Sequence, residues 1–255
     1  MKKIIVLLLM LVLLAPTTSF AESKKKVGYM NITYETKDGF VLKSKLFYPT
    51  EKQPVYPLVV MLHSIGYSSE YWENLTKTFL DSGVAVVLVD LRGHGQSVYD
   101  SNFKISSWRY FSNKQFAKYP NDIAEIIMYL AMNYKNISPA HYAIVGADIG
   151  ANTAILASEK LINKPKCFVL FSPTREFKGL YIPIAMTNVG NGSILALVSS
   201  KDRHSTQEAA ILEKFAQGDY LVKTYPMGGM GMLMLKVNPS MSKDIVDWVV
   251  PQIKF

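Results

Sequence analysis

One stretch constrains this chain more than any other: residues 141 to 160. His141 to Val145 is an apolar run of the kind that forms a buried strand. It passes into Gly146-Ala-Asp148-Ile-Gly150, and Ala151 to Lys160 then has helical character. A strand that turns into a helix within five residues brings two backbones together where side chains do not fit. Glycines at 146 and 150 make that approach feasible. The side chain held up at the centre of the turn is Asp148. A chain built on such a unit must supply a sheet for the strand and pack helices against it.

The 255 residues suffice for one large α/β domain with a full core. An apolar content of 49% and a charged content of 19% exclude a disordered chain. Residues 1–21 stand apart: Lys2 and Lys3, the apolar run Ile4 to Ala15, Pro16, then Ser19-Phe20-Ala21. A basic start, an apolar middle and a small-x-small end predict a signal peptide cleaved after Ala21, and hence a periplasmic or secreted protein. An uncleaved anchor fits less well, because the run is shorter than the ~20 residues a spanning helix needs. No later stretch is apolar enough to span a membrane. Residues 22–26 carry Lys24, Lys25 and Lys26 and read as a flexible mature N-terminus; 27–255 read as a single domain. The net charge of +8 becomes +6 once Lys2 and Lys3 are removed, and no nucleic-acid motif accompanies it. Cys167, the one cysteine, precludes an intramolecular disulfide and falls in a strand-like run. No cluster of His or carboxylates supports a metal, and no cofactor is implied.

Along the chain, Val27 to Glu35 and Phe40 to Tyr48 read as antiparallel edge strands joined through Asp38-Gly39. Pro57 to His63 and Val84 to Asp90 are buried strands, and Ser68 to Ser82 is helical between them. A Gly-, Ser- and aromatic-rich loop covers Leu91 to Tyr119. Asn121 can cap a helix from Asp122 to Asn133. Beyond the central unit come a strand at Cys167 to Ser172, a linker, a strand at Ile194 to Ser199 and a helix at Thr206 to Gln217. A short strand at Leu221 to Tyr225 and a helix at Ser240 to Val250 close the chain. Alternation of this kind predicts a mostly parallel sheet of about eight strands with helices on both faces. The linker after Ser172 is too short for a sizeable lid, so the site is expected to be an open cleft.

Three further segments carry a resemblance. Met61-Leu-His63-Ser-Ile-Gly66 with Trp72, Asp90-Leu-Arg-Gly-His-Gly-Gln-Ser97, and Phe171-Ser-Pro-Thr-Arg-Glu-Phe-Lys-Gly179 accompany the strand–turn–helix unit. Together they resemble the α/β-hydrolases, and among those the compact lidless dienelactone-hydrolase-like esterases. The resemblance covers nearly all of the chain after the signal and identifies 146–150 as the nucleophile elbow. It implies a nucleophile, an acid and a His in that chain order, plus an oxyanion hole from the backbone N–H of Ile149 and one near Ser64 or Ile65.

The positions implied by the resemblance do not hold the usual residues. Serine hydrolases carry Ser at the elbow; here it is Asp148. The acid position is Asp202, and the His position in Tyr225-Pro-Met-Gly-Gly-Met230-Gly231 is Met230, which transfers no proton. Three readings follow. The favoured one is a protein of serine-esterase descent that is non-catalytic or weakly active and binds a small molecule or peptide. The second uses Asp148 as a nucleophile, as haloalkane dehalogenases and epoxide hydrolases of this fold do, but lacks the base that would hydrolyse the ester intermediate. The third uses other residues, with His204 as a substitute base. His63 and His94 read as structural. Asp148, at a helix N-terminus beside backbone donors, is expected to have a lowered pKa. The run Met227 to Leu235 reads either as an apolar loop filling the vacated His site or as a copper(I) thioether surface, the former being favoured. The oligomeric state is left open.

Overall fold

The computed structural model describes residues 28–190 and 192–255; the expected signal peptide and the basic tail lie outside the described residues. Strands β1 (Tyr29–Glu35) and β2 (Phe40–Phe47) pair antiparallel, Tyr29 opposite Phe47 and Glu35 opposite Val41. Then come β3 (Tyr56–Leu62), α1 (Glu73–Asp81) preceded by a 3-10 turn, β4 (Ala85–Val89), the two-residue β5 (Tyr99–Asp100), α2 (Asn113–Phe116) and α3 (Tyr119–Asn133). The central unit is β6 (Ile137–Ala147) followed by α4 (Ile149–Ser158). The chain continues through β7 (Cys167–Phe171), β8 (Glu176–Phe177), β9 (Leu180–Tyr181) and α5 (Pro183–Met186). It ends with β10 (Ser193–Ser199), α6 (Arg203–Leu212), β11 (Tyr220–Tyr225), α7 (Leu233–Val237) and α8 (Met241–Ile253).

The main sheet runs β1-β2-β4-β3-β6-β7-β10-β11, with β5 added on β2. From β4 to β11 every neighbouring pair is parallel. The apolar runs have no polar alternation because both sheet faces are covered. Val60, Val87, Ile144 and Leu170 pack with Ile123, Ile127 and Ile155 of α3 and α4. Their strand neighbours Val59, Val86, Val145 and Val169 pack with Leu75, Phe79, Ile245 and Val249 of α1 and α8. Successive residues thus feed opposite layers, as the two-residue period of a strand requires. Cys167 is fully buried in β7. Among the described residues no helix is long and apolar enough to cross a membrane.

Several boundaries shift for identifiable reasons. Helix α3 begins at Tyr119, because Pro120 fits a first helical turn, where its missing N–H costs nothing. Helix α6 begins at Arg203, because the Asp202 carboxylate caps it by accepting from Ser205 N at 3.1 Å. The linker after β7 holds the β8–β9 hairpin, whose turn residues Lys178 and Gly179 both have left-handed φ, 52° and 83°.

The segment Asp90 to Ser97 is held by polar contacts. The Asp90 carboxylate accepts from Ser69 N (2.8 Å) and Gln96 N (2.9 Å). A Cβ on Gly95 would come within 2.3 Å of that carboxylate. Buried Arg92 donates to both Asp122 oxygens (2.8 and 2.6 Å) and both Asp38 oxygens (3.0 and 2.7 Å), with its guanidinium 4.3 Å from the centre of the Phe40 ring. It ties the β1–β2 turn to α3. Replacing Arg92 by Met leaves Asp122 buried without a partner and should cost about 3 kcal/mol. Thermal melting should show a fall in Tm of roughly 10 °C, largely recovered when Asp122→Leu is added.

Candidate active site

The elbow is built by backbone contact. A Cβ on Gly146 would lie 2.4 Å from the Gly150 carbonyl oxygen, and one on Gly150 would lie 2.4 Å from the Leu62 oxygen and 2.8 Å from that of His63. With no side chain at either position, β6, α4 and the end of β3 close on one another. Asp148 bears the strain of the turn: its φ is 57° and ψ is −116°, a conformation a non-glycine residue rarely holds. The Asp148 side chain is almost fully buried.

The loop after β3 is shaped by two neutral histidines. His63 Nε2 accepts from Leu91 N (3.0 Å), so its Nδ1–H donates to the Ser64 carbonyl (2.8 Å). His94 Nε2 accepts from Gly66 N (3.0 Å), its Nδ1 faces the Arg92 carbonyl at 3.2 Å, and its ring stacks on Trp108 at 5.2 Å. Burial pushes the pKa of both rings down, that of His94 to about 3 with help from the field of His63. Held this way, the loop directs the Ile65 N–H toward the Asp148 carboxylate. The Ile149 N–H at the start of α4 also acts on it. The Ser64 N–H is used elsewhere: it donates to Met232 Sδ at 3.3 Å.

The segment after β11 lies over the elbow. Gly231 N donates to Ser172 Oγ (2.9 Å), and Met232 N donates to Ser64 Oγ (3.3 Å). A Cβ on Gly231 would lie 3.5 Å from Asp148 Cβ. The expected open cleft is therefore closed at its deepest point by this chain's own backbone. Met230 is 42% exposed and does not fill the vacated His site, whereas Met232 is buried and does face the loop after β3. Gly231 passes close against Ser64, whose Oγ a Cβ there would meet at 2.5 Å, and the methionine that turns inward beside it is Met232.

Asp202 sits at the head of α6 and accepts from Ser205 N and from Ser205 Oγ at 2.5 Å, so its carboxylate is occupied as a helix cap. His204 is exposed on the same first turn and acts on Glu208, one turn further on. Lys178, at the β8–β9 turn, is the cation whose field reaches Asp148. Neither Lys178 nor Ser172 stands out in the sequence as a site residue; only the left-handed turn implied by Lys178-Gly179 hints that this side chain is held at a hairpin tip. Among the described residues no group of His, Cys, Asp or Glu is arranged to hold a metal ion. A cavity of about 430 Å3 lies at the opposite edge of the sheet, between Met128, Tyr142 and Leu161, and shares no residue with the elbow.

The electrostatics reverse the sequence-based expectation for Asp148. Burial pushes its pKa up to about 7, and the nearby Asp202 carboxylate acts in the same direction. The N–H groups of Ile65 and Ile149 and the charge of Lys178 oppose this without overcoming it. The side chain makes no cap hydrogen bond within α4, and loss of solvent is the largest influence on it.

Fold and elbow together define an α/β-hydrolase-fold protein. The family model described as "Serine aminopeptidase, S33" matches residues 53–191, and the chain belongs to that family. Solved structures agree on the fold. An esterase of Pyrococcus furiosus superimposes with a TM-score of 0.67 at 17% identity, over 89% of this chain and 94% of that one. A dienelactone hydrolase of Anabaena variabilis gives 0.70 at 13% identity, over 89% and 99%. Among curated proteins, protein phosphatase methylesterase 1 of Candida albicans is 32% identical over 83 residues, which is 32% of this chain and 22% of that protein.

A carboxyl whose pKa is raised on folding binds its proton more tightly in the native state. Its contribution to stability is therefore full below about pH 4 and is lost as pH rises from there through about 7. Asp148→Asn removes this loss. At pH 8 the variant should melt several degrees above the parent, on the order of 5–10 °C, with the difference gone at pH 4. Parallel melting curves across that pH range check it.

Proposed function

We propose that this is an exported α/β-hydrolase-fold protein of serine-esterase descent that does not carry out the serine-hydrolase reaction and keeps the elbow region for binding a small molecule or peptide. The carrying observation is the elbow itself. A buried carboxyl with its pKa near 7 stands where an alcohol nucleophile would, covered by Gly231, with no imidazole beside it. Three of the four histidines are engaged elsewhere: His63 and His94 shape the loop after β3 and His141 packs against Phe255 at 4.5 Å, while His204 is exposed on the first turn of α6. An acyl- or alkyl-enzyme formed at position 148 would have no group to activate the water that releases it. Export rests on the basic, apolar and small-x-small order of residues 1–21.

The second reading is an active hydrolase of ester, amide or alkyl bonds with Asp148 as nucleophile and a substitute base such as His204. The φ of 57° at Asp148 and the Ile65 and Ile149 N–H groups favour it, since both are features that present a nucleophile and stabilise an oxyanion.

Turnover of short p-nitrophenyl esters by the purified protein distinguishes the two. The proposal expects no turnover by the parent or by Asp148→Ala. Turnover by the parent that disappears in Asp148→Ala overturns it, and His204→Ala then becomes the next variant.

A further inference from the structure

Because β3, β4, β6, β7, β10 and β11 run parallel, the loops that follow them all leave the same edge of the sheet. Apolar side chains stand out from that edge rather than turning inward. Tyr110, in the 3-10 turn after Trp108, is 87% exposed, and Met227 just beyond β11 is 54% exposed. Tyr71 and Met230 are about half exposed beside them. Contacts across the loops make these one neighbourhood. Trp108 lies against Gly66, Asn113 against Gly179 in the β8–β9 turn, and Met232 against Ser64.

Cations are interleaved with these side chains. The Arg109 guanidinium lies 5.2 Å from the centre of the Trp108 ring, and Lys236 Nζ lies 5.2 Å from that of Tyr71. Lys178 projects from the hairpin turn. None of the three forms an ion pair among the described residues. The acidic groups of the same edge are already engaged: Glu70 with Lys45, Asp90 with the Ser69 and Gln96 N–H groups, Glu176 with the Gly179 N–H, and Asp202 with Ser205. Asp90, Glu176 and Asp202 keep their charge under these hydrogen bonds, but Arg109, Lys178 and Lys236 are left without an ion pair among the described residues.

We infer that this edge docks onto an anionic lipid surface. Tyrosine rings with a polar tip and flexible thioethers suit the headgroup boundary, and Arg and Lys with apolar stems reach lipid phosphates while their stems stay buried. The groups stand on separate projecting loops and not around a groove, so a deformable, laterally uniform anionic surface matches them better than a shaped protein.

The test uses the full chain carrying Tyr110→Cys with a polarity-sensitive thiol label; the natural Cys167 is fully buried and does not compete for it. The control is the same label at Met132→Cys, exposed near the cavity at the opposite edge. A label reports its own surroundings, so insertion of the apolar segment 4–15 alone would not move it. With vesicles of one part phosphatidylglycerol to three parts phosphatidylcholine, the label at 110 should shift to the blue and the one at 132 should not. Pure phosphatidylcholine should leave both unmoved. Adding Arg109→Gln, Lys178→Gln and Lys236→Gln should raise the lipid concentration for half-maximal shift about 100-fold, at about fivefold per cation. No shift at 110, equal shifts at both positions, or an equal shift with a soluble polyanion overturns the inference.

Discussion

Everything at the working edge of this molecule depends on a backbone-on-backbone contact. Gly150 packs against the Leu62 and His63 carbonyls, and Gly146 against the Gly150 carbonyl, at distances that leave no room for a Cβ. That contact fixes where β3 ends relative to α4. The end of β3 in turn places Ile65, and α4 places the Ile149 N–H. Asp148, between them, is forced to a positive φ with its side chain directed into the space those groups enclose. The strain is sustained because the surrounding sheet is packed on both faces and over-determines the turn.

The electrostatic character of the site follows from burial and not from the local donors. Two N–H groups and one lysine favour an ionised Asp148, yet burial, with the nearby Asp202 carboxylate acting in the same direction, lifts its pKa to about 7. Burial likewise keeps His63 and His94 uncharged, which lets each ring accept a backbone N–H that an imidazolium would repel. Arg92 shows the other outcome: a cation equally deep stays charged because it has four short contacts to Asp122 and Asp38. The same packed interior therefore neutralises the group at its working centre and retains the charge on a group that only binds elements together.

How much of this was legible in the sequence depended on range. The uninterrupted apolar runs in β3, β4 and β7 announced strands covered on both faces, and Gly146 and Gly150 announced the elbow, because both signals are local. Asp38-Gly39 gave the first hairpin for the same reason. The caps were harder: Asp202 draws the start of α6 forward by three residues through Ser205, a bond that composition does not display. The direction of the Asp148 shift was illegible, since it depends on a segment more than 80 residues away folding over it. That Met232 turns inward while Met230 does not was equally illegible, because it is set by the path of the segment after β11. Lys178 enters the site only through a hairpin within what reads as a linker.

Above all, burial governs the elbow carboxyl, so that it is only about half ionised at neutral pH instead of fully charged. A carbon-13 NMR titration of the Asp side-chain carboxyls tests this most directly, with the Asp148 signal assigned by its loss in Asp148→Asn. The account predicts a midpoint near pH 7 for that one resonance. A midpoint at or below the ordinary value of 3.8 would mean that the Ile65 and Ile149 N–H groups and Lys178 prevail, and would contradict it.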